Sequence, residues 1–244
     1  MPFVTAEDGV RIHYELEGPE DGVPLVLMHG LTSSMERWRL GGYPERLRDR
    51  YRLILVDGRG HGESDLPTRP EDYDYRTRVL DLVSVIRDAG HDSAHLWGYS
   101  MGGQLTMSAA IYAPQRFRSF TIGGASPYGA KDSAITVPWE QFWEQVKENP
   151  GADTHRESWR AAFVASRTFG GAIQALRATK VPTLIYAGSN DAGPHRGLTE
   201  YVSAYGARHF TLPDKDHRTA NLESAAEVVP RVTAFIDEVE AAAK

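Results

Sequence analysis

Along the chain, short runs dense in β-branched and other apolar residues alternate with longer segments in which apolar positions return every three or four residues. That rhythm predicts a mostly parallel sheet of about eight strands, joined and covered by helices. A hairpin is expected first, from residues 3–5 and 10–17. Residues 24–28, 52–56, 93–97, 119–122 and 183–187 read as strands buried on both faces. Residues 207–212 read as the last strand.

Two helical stripes are plain between these runs. Tyr75, Val79, Leu82, Val83 and Ile86 share one face and stop before Gly90, where glycine suits a left-handed cap. Val228, Val229, Val232, Phe235, Ile236 and Val239 repeat the spacing near the C-terminus. Pro230 is expected in the first turn of that helix, where a missing N–H is harmless.

From about residue 126 to 180 the rhythm breaks. One predicted helix opens at Pro138, carries Trp139, Phe142, Trp143 and Val146, and stops at Asn149-Pro150-Gly151. A second carries Trp159, Ala162 and Phe163 behind a capping box from Thr154 to Glu157. Two helices where one crossover would suffice mark an insertion, read as a short helical lid on a single domain spanning 1–244. A chain of 244 residues is long enough for one sizeable core, burying about three quarters of its unfolded surface, and short for two.

Composition narrows the chemistry. Charged residues at 25% and hydrophobic ones at 41% are ordinary for a folded, soluble protein. A net charge of -6 with both signs scattered leaves no basic stripe, so neither nucleic acid nor a membrane surface is an expected partner. There is no cysteine, so a nucleophile must be oxygen or nitrogen and no disulfide or thiolate ligand exists. The first residues, through Glu7 and Asp8, carry acid where a signal peptide carries positive charge, which reads as cytoplasmic. Oligomeric state has no signature here.

Gly98-Tyr99-Ser100-Met101-Gly102 is a G-x-S-x-G segment between an apolar run and a helical pattern. Strand, sharp turn and helix are what a nucleophile elbow requires, and the flanking glycines remove side chains that would collide there. Ser100 is then exposed at the carboxyl edge of the sheet, with the Met101 N–H facing a developing oxyanion. His29-Gly30-Leu31-Thr32 leaves an earlier strand and brings the Leu31 N–H beside it as a second donor, while His29 itself reads as structural. The single bulky side chain at Leu31 makes a crowded loop, a poor fit for esters of tertiary alcohols.

Taken together, His29-Gly30, Asp57-Gly58-Arg59-Gly60-His61-Gly62-Glu63-Ser64, Gly98 to Gly103, Gly188-Ser189-Asn190-Asp191 and His217 resemble the α/β-hydrolase superfamily over nearly the whole chain. The resemblance implies the α/β-hydrolase fold and makes the Asp57–Ser64 stretch a structural turn. It also implies a triad in the order nucleophile, acid, histidine, which Ser100, Asp191 and His217 follow. Asp191 lies just past a predicted strand, at the sheet edge where catalytic groups collect in open α/β folds, one βα unit before His217. Serine is a poor nucleophile at neutral pH, so the imidazole must take its proton and the carboxylate must hold the imidazole.

Each assignment has a rival. Asp191 could merely cap the helix that starts near Pro194, with Asp214 or Asp216 as substitute acids beside His217. Asp191 and His195 lie at helical spacing, but two ligands are too few for a metal, and neither metal nor cofactor is expected. Trp139, Phe142, Trp143, Trp159 and Phe163 either line an acyl pocket or form the core of the lid. The activity read from these residues is hydrolysis of a carboxylic ester, lactone or related acyl compound, a small-molecule substrate, with water as the second substrate. Resemblance also admits carbon–carbon bond hydrolysis, cofactor-free perhydrolase activity and, more remotely, a non-catalytic receptor for a small ligand.

Overall fold

In the computed structural model, which describes residues 2–129 and 137–243, neighbouring residues of each inner strand enter opposite cores. On β3 (Val23–Met28), Leu25 and Leu27 pack on one face of the sheet and Val26 and Met28 on the other. On β4 (Tyr51–Val56), Leu53 and Leu55 part from Ile54 and Val56 in the same way. A side-chain period of two on strands buried on both faces therefore builds two apolar layers from one run of sequence.

With β1 (Phe3–Thr5), β2 (Arg11–Glu17), β5 (Ala94–Tyr99), β6 (Phe117–Gly123), β7 (Thr183–Gly188) and β8 (Arg208–Leu212), these strands form an eight-stranded sheet. Its order is β1-β2-β4-β3-β5-β6-β7-β8. β1 and β2 run antiparallel to each other, and β2 to β4; every other pairing is parallel. The sheet is the one the alternating rhythm predicts, with strand ends shifted by one or two residues.

One face is covered by α3 (Tyr75–Asp88), α4 (Met101–Tyr112), α7 (Ile173–Ala178) and α8 (Ala192–Tyr205). The other takes α1 (Glu36–Leu40), α2 (Pro44–Leu47), α9 (Thr219–Leu222) and α10 (Ala225–Ala242). Beneath the second face, Trp97 of β5 meets Trp38 at 5.4 Å and Tyr43 at 5.3 Å, both edge to face, and its indole N–H donates to the Tyr186 hydroxyl. Each such ring pair contributes about 0.5–1.5 kcal/mol beyond area burial. The strand that leads into Gly98 is thereby fixed from below.

Three local expectations give way. Pro230 lies inside α10 rather than in its first turn. The carbonyl it leaves without an in-helix donor belongs to Ala226, an exposed residue. α6 (Ala152–Ser166) starts before the Thr154–Glu157 box: Gly151 at φ 79° turns the chain, and no side chain caps the helix. The segment from 126 to 180 carries α7 in addition to α5 (Trp139–Val146) and α6. Phe169, Ala172 and Leu176 around α7 belong to the main core, so the projecting part is the pair α5–α6. Residues 130–136 of that segment lie outside the described residues.

Candidate functional site

At the carboxyl end of β5 the chain turns into α4 through Ser100, whose φ of 58° and ψ of -115° no side-chain-bearing residue adopts without cost. Close packing enforces the turn. A Cβ at Gly98 would stand 2.0 Å from the Gly102 carbonyl oxygen, and one at Gly102 would stand 2.2 Å from that of Met28. Only glycines at both positions let α4 settle against β3 and β5 while Ser100 stands proud.

The three residues singled out by the elbow and its order meet in one chain of hydrogen bonds. His217 Nε2 lies 2.8 Å from the Ser100 Oγ, and its Nδ1 lies 2.7 Å from the Asp191 Oδ2. Asp191 is buried beside β7, while the His217 side chain is 39% exposed and faces the cleft. Asp191 does precede α8, yet its side chain makes no capping bond and turns to His217 instead. Asp216 is occupied locally: its Oδ1 accepts from the Arg218 and Thr219 N–H groups and from the Thr219 hydroxyl. These bonds hold its carboxyl below the usual range. Asp214 stands at φ 57° and its N–H donates to the Ser189 Oγ, closing the turn that carries His217. His195 reaches Asp191 only through the backbone, N–H to carbonyl.

Two buried histidines fix the loop after β3. His29 donates from Nδ1 to the Gly30 carbonyl and accepts the Gly58 N–H at Nε2. His61 donates from Nδ1 to the Arg59 carbonyl and accepts the Thr32 N–H at Nε2. Both roles need neutral rings, and burial depresses both pKa values, that of His61 furthest. Asp57 adds support: its carboxylate accepts from the Met35 and Glu63 N–H groups and from His13, and Arg59 forks onto Asp81. The Asp57–Ser64 stretch thus braces the loop, the structural role its sequence implied. Among the described residues, the N–H groups of Leu31 and Met101 meet no acceptor, and both residues border the cleft beside Ser100.

That cleft is about 630 Å³, within the range of small-molecule sites. Of the five aromatics considered for an acyl pocket, Phe142 alone lines it. Trp139, Trp159 and Phe163 are buried together, and Trp143 packs on them from the side. Phe163 lies 5.4 Å from Trp139 and 5.0 Å from Phe142, ring to ring. The apolar faces of two short helices must meet each other before either can cover a cleft, so these four rings are spent on holding α5 to α6.

Several residues without a local sequence signal are brought here by the fold. The Tyr99 hydroxyl donates to the His217 carbonyl at 2.8 Å, pinning the histidine loop to the residue before Ser100. Asn149, seen only as a helix stop, donates its Nδ2 to the Thr32 carbonyl and so ties the end of α5 to the loop after β3. Arg37, Gln104, Arg218 and Asn221 also line the cleft. Their signal is convergence of distant segments, which no local pattern carries.

A model of the alpha/beta hydrolase family matches residues 25–231. The 3-oxoadipate enol-lactonase 1 of Acinetobacter baylyi is 25% identical over 98% of this chain and 97% of that protein. Matches above 30% identity cover about half of this chain, which spans less than half the length of those relatives. Among them, Epoxide hydrolase 3 of Xenopus tropicalis is 32% identical over 43% of this chain and 28% of that protein. Among solved structures, the enol-lactonase of Burkholderia xenovorans LB400 superposes with a TM-score of 0.79 at 20% identity, over 97% of this chain and all of that one.

Proposed function

The chain belongs to the alpha/beta hydrolase family, and from that premise we propose that it is a serine hydrolase cleaving a carboxylic ester, lactone or related acyl compound through an acyl-serine intermediate. The observation that carries this reading is the unbroken relay from the Ser100 Oγ through His217 to Asp191, at 2.8 and 2.7 Å, with the serine held on a strained elbow. Enol-lactonases among the relatives and structural neighbours agree with an acyl substrate.

The chemistry follows from the atoms. His217 Nε2 takes the Ser100 proton as Oγ attacks the acyl carbon, and Asp191 holds Nδ1–H so that Nε2 starts unprotonated. Negative charge developing on the acyl oxygen is met by the free N–H groups of Leu31 and Met101, each worth about 2.7–4 kcal/mol in such sites. Imidazolium then protonates the leaving oxygen. Water, deprotonated by His217, attacks the acyl-serine and restores the hydroxyl. The pair α5–α6 serves as the lid, with Phe142 toward the substrate and the remaining aromatics as its core.

Labelling with a fluorophosphonate probe tests the reading. The adduct is expected on Ser100, with loss of labelling and a fall in kcat of about four to six orders of magnitude in folded Ser100→Ala. Turnover by that variant above a hundredth of wild type would remove Ser100 as the nucleophile.

A further inference from the structure

The protein carries a net charge of -6, yet the described residues lining the cleft include two arginines, Arg37 and Arg218, and no aspartate or glutamate. Arg37 projects from α1, just beyond the loop after β3, and Arg218 follows His217 directly. Among the described residues neither guanidinium pairs with a carboxylate, unlike Arg39 with Glu15 and Glu17 or Arg59 with Asp8 and Asp81. Arg37 spends only its Nε, on the Asn221 Oδ1 at 3.1 Å. Among the described residues the terminal nitrogens of its fork have no acceptor. Asn221, 2% exposed, lines the cleft and keeps a buried Nδ2 that is also without one among the described residues.

A half-buried guanidinium is costly unless something compensates it. Here burial and the neighbouring Arg218 both work against the charge on Arg37, drawing its pKa down. Two guanidinium groups lining one cleft, with the buried Asn221 Nδ2 beside it and no acceptor among the described residues for these donors, describe half of an anion site. A carboxylate supplies what is missing: two oxygens for the fork and one negative charge against two positive ones. The cleft would also draw such a substrate in against the overall charge of the protein.

We infer that Arg37, Arg218 and Asn221 form a carboxylate-binding subsite, and that the natural substrate is an acyl compound bearing a free carboxylate within reach of its scissile bond. The inference rests on the acyl-serine reading above for the reaction, but not for the binding site. The carboxylate belongs to either the acyl or the alcohol half, and paired esters separate the two. Monophenyl glutarate against phenyl pentanoate places a carboxylate or a methyl group at the end of the acyl chain. 3-Acetoxybenzoate against 3-tolyl acetate does the same on the alcohol.

In one of the pairs the anionic member is expected to have the higher kcat/KM. Arg37→Gln and Arg218→Gln are each expected to cut that anionic-to-neutral ratio by about 10- to 100-fold, the value of a charge-assisted hydrogen bond. Arg218 is exposed, so its substitution tests the subsite without disturbing packing. Added salt should erode the ratio in wild type. A ratio near one in both pairs, or a variant that lowers both members alike, overturns the subsite while leaving the serine mechanism standing. If no ester is cleaved, the serine reading fails instead, and calorimetry with glutarate on Ser100→Ala still decides the subsite. Binding that is lost in the added Arg37→Gln and Arg218→Gln backgrounds supports it. Equal binding in all of them, or none in any, refutes it.

Discussion

Gly102→Ala adds one methyl group at the seam on which the site depends. Its Cβ would lie 2.2 Å from the Met28 carbonyl oxygen and 2.8 Å from that of His29, where Cβ atoms stay at least 3.0 Å away. Both obstacles are backbone, so no side chain can swing aside, and α4 must part from β3 by about 0.8 Å, the difference between 3.0 and 2.2. The parting falls between the two proposed oxyanion donors: Met101 immediately precedes Gly102, and Leu31 follows Met28 by three residues. Losing one donor, or misplacing the reacting atoms by about an ångström, costs on the order of 10²- to 10³-fold in kcat. Overpacking of this kind costs about 1–3 kcal/mol of stability, which lowers Tm by about 2–4 °C per kcal/mol in a chain of this size. The assay is kcat on phenyl acetate at saturation, with Tm by circular dichroism. Gly170→Ala is the control, since a Cβ there meets nothing within 4 Å. A folded Gly102→Ala protein turning over within about threefold of wild type would refute the link between this contact and the oxyanion geometry.

Asp191→Asn is expected to lower kcat by about a thousand-fold or more, while Asp214→Asn and Asp216→Asn cost far less; the reverse order would redraw the triad. Phe142→Ala should shift relative kcat/KM among C2, C4 and C8 p-nitrophenyl esters by about 1–3 kcal/mol. Phe163→Ala should instead lower Tm and scale all three together, a cavity cost of about 3–5 kcal/mol, and acyl-length selectivity in Phe163→Ala would place that ring in the pocket after all. Burial depresses the pKa values of His29, His61 and His95, that of His95 to about 4. The unfolded chain therefore takes up protons below about pH 6.5 that the native state refuses, and stability present above that pH falls as pH drops, by up to about 1.4 kcal/mol per unit and histidine. Urea midpoints that stay level or rise between pH 7 and 5 would contradict this, and His61→Gln should flatten the slope.

How far the chain announces itself differs from part to part. The inner strands were legible because burial on both faces keeps them rich in apolar residues, and the glycines of the elbow because steric exclusion leaves no substitute. Asp191 was legible as a residue just past β7, but only the direction of its side chain shows that it bonds His217 and does not cap α8. The aromatic stripes of α5 and α6 were legible, but not which ring faces the cleft, because a helix stripe names a shared face and not the partner that covers it. Pro230 and the Thr154–Glu157 box misled by a turn or less, the scale on which tertiary packing overrides local preference. Arg37, Arg218 and Asn221 left no trace, Arg37 meeting the other two only when two distant segments come together.

Thr32, Ser100 and Asp214 are the non-glycine residues at positive φ among the described residues, and they come from three separate stretches of chain that border one cleft. At about 1–3 kcal/mol each, their strain amounts to a sizeable part of the roughly 5–15 kcal/mol that holds a typical domain folded. Heat tolerance and chemistry therefore compete at the same few backbone angles. A descendant of this protein adapting to a hotter habitat would gain most readily by placing glycine at position 32 or 214, easing the backbone there. It would also release the restraint that keeps the loop after β3 and the histidine turn in register, so adaptation by that route should trade turnover for endurance.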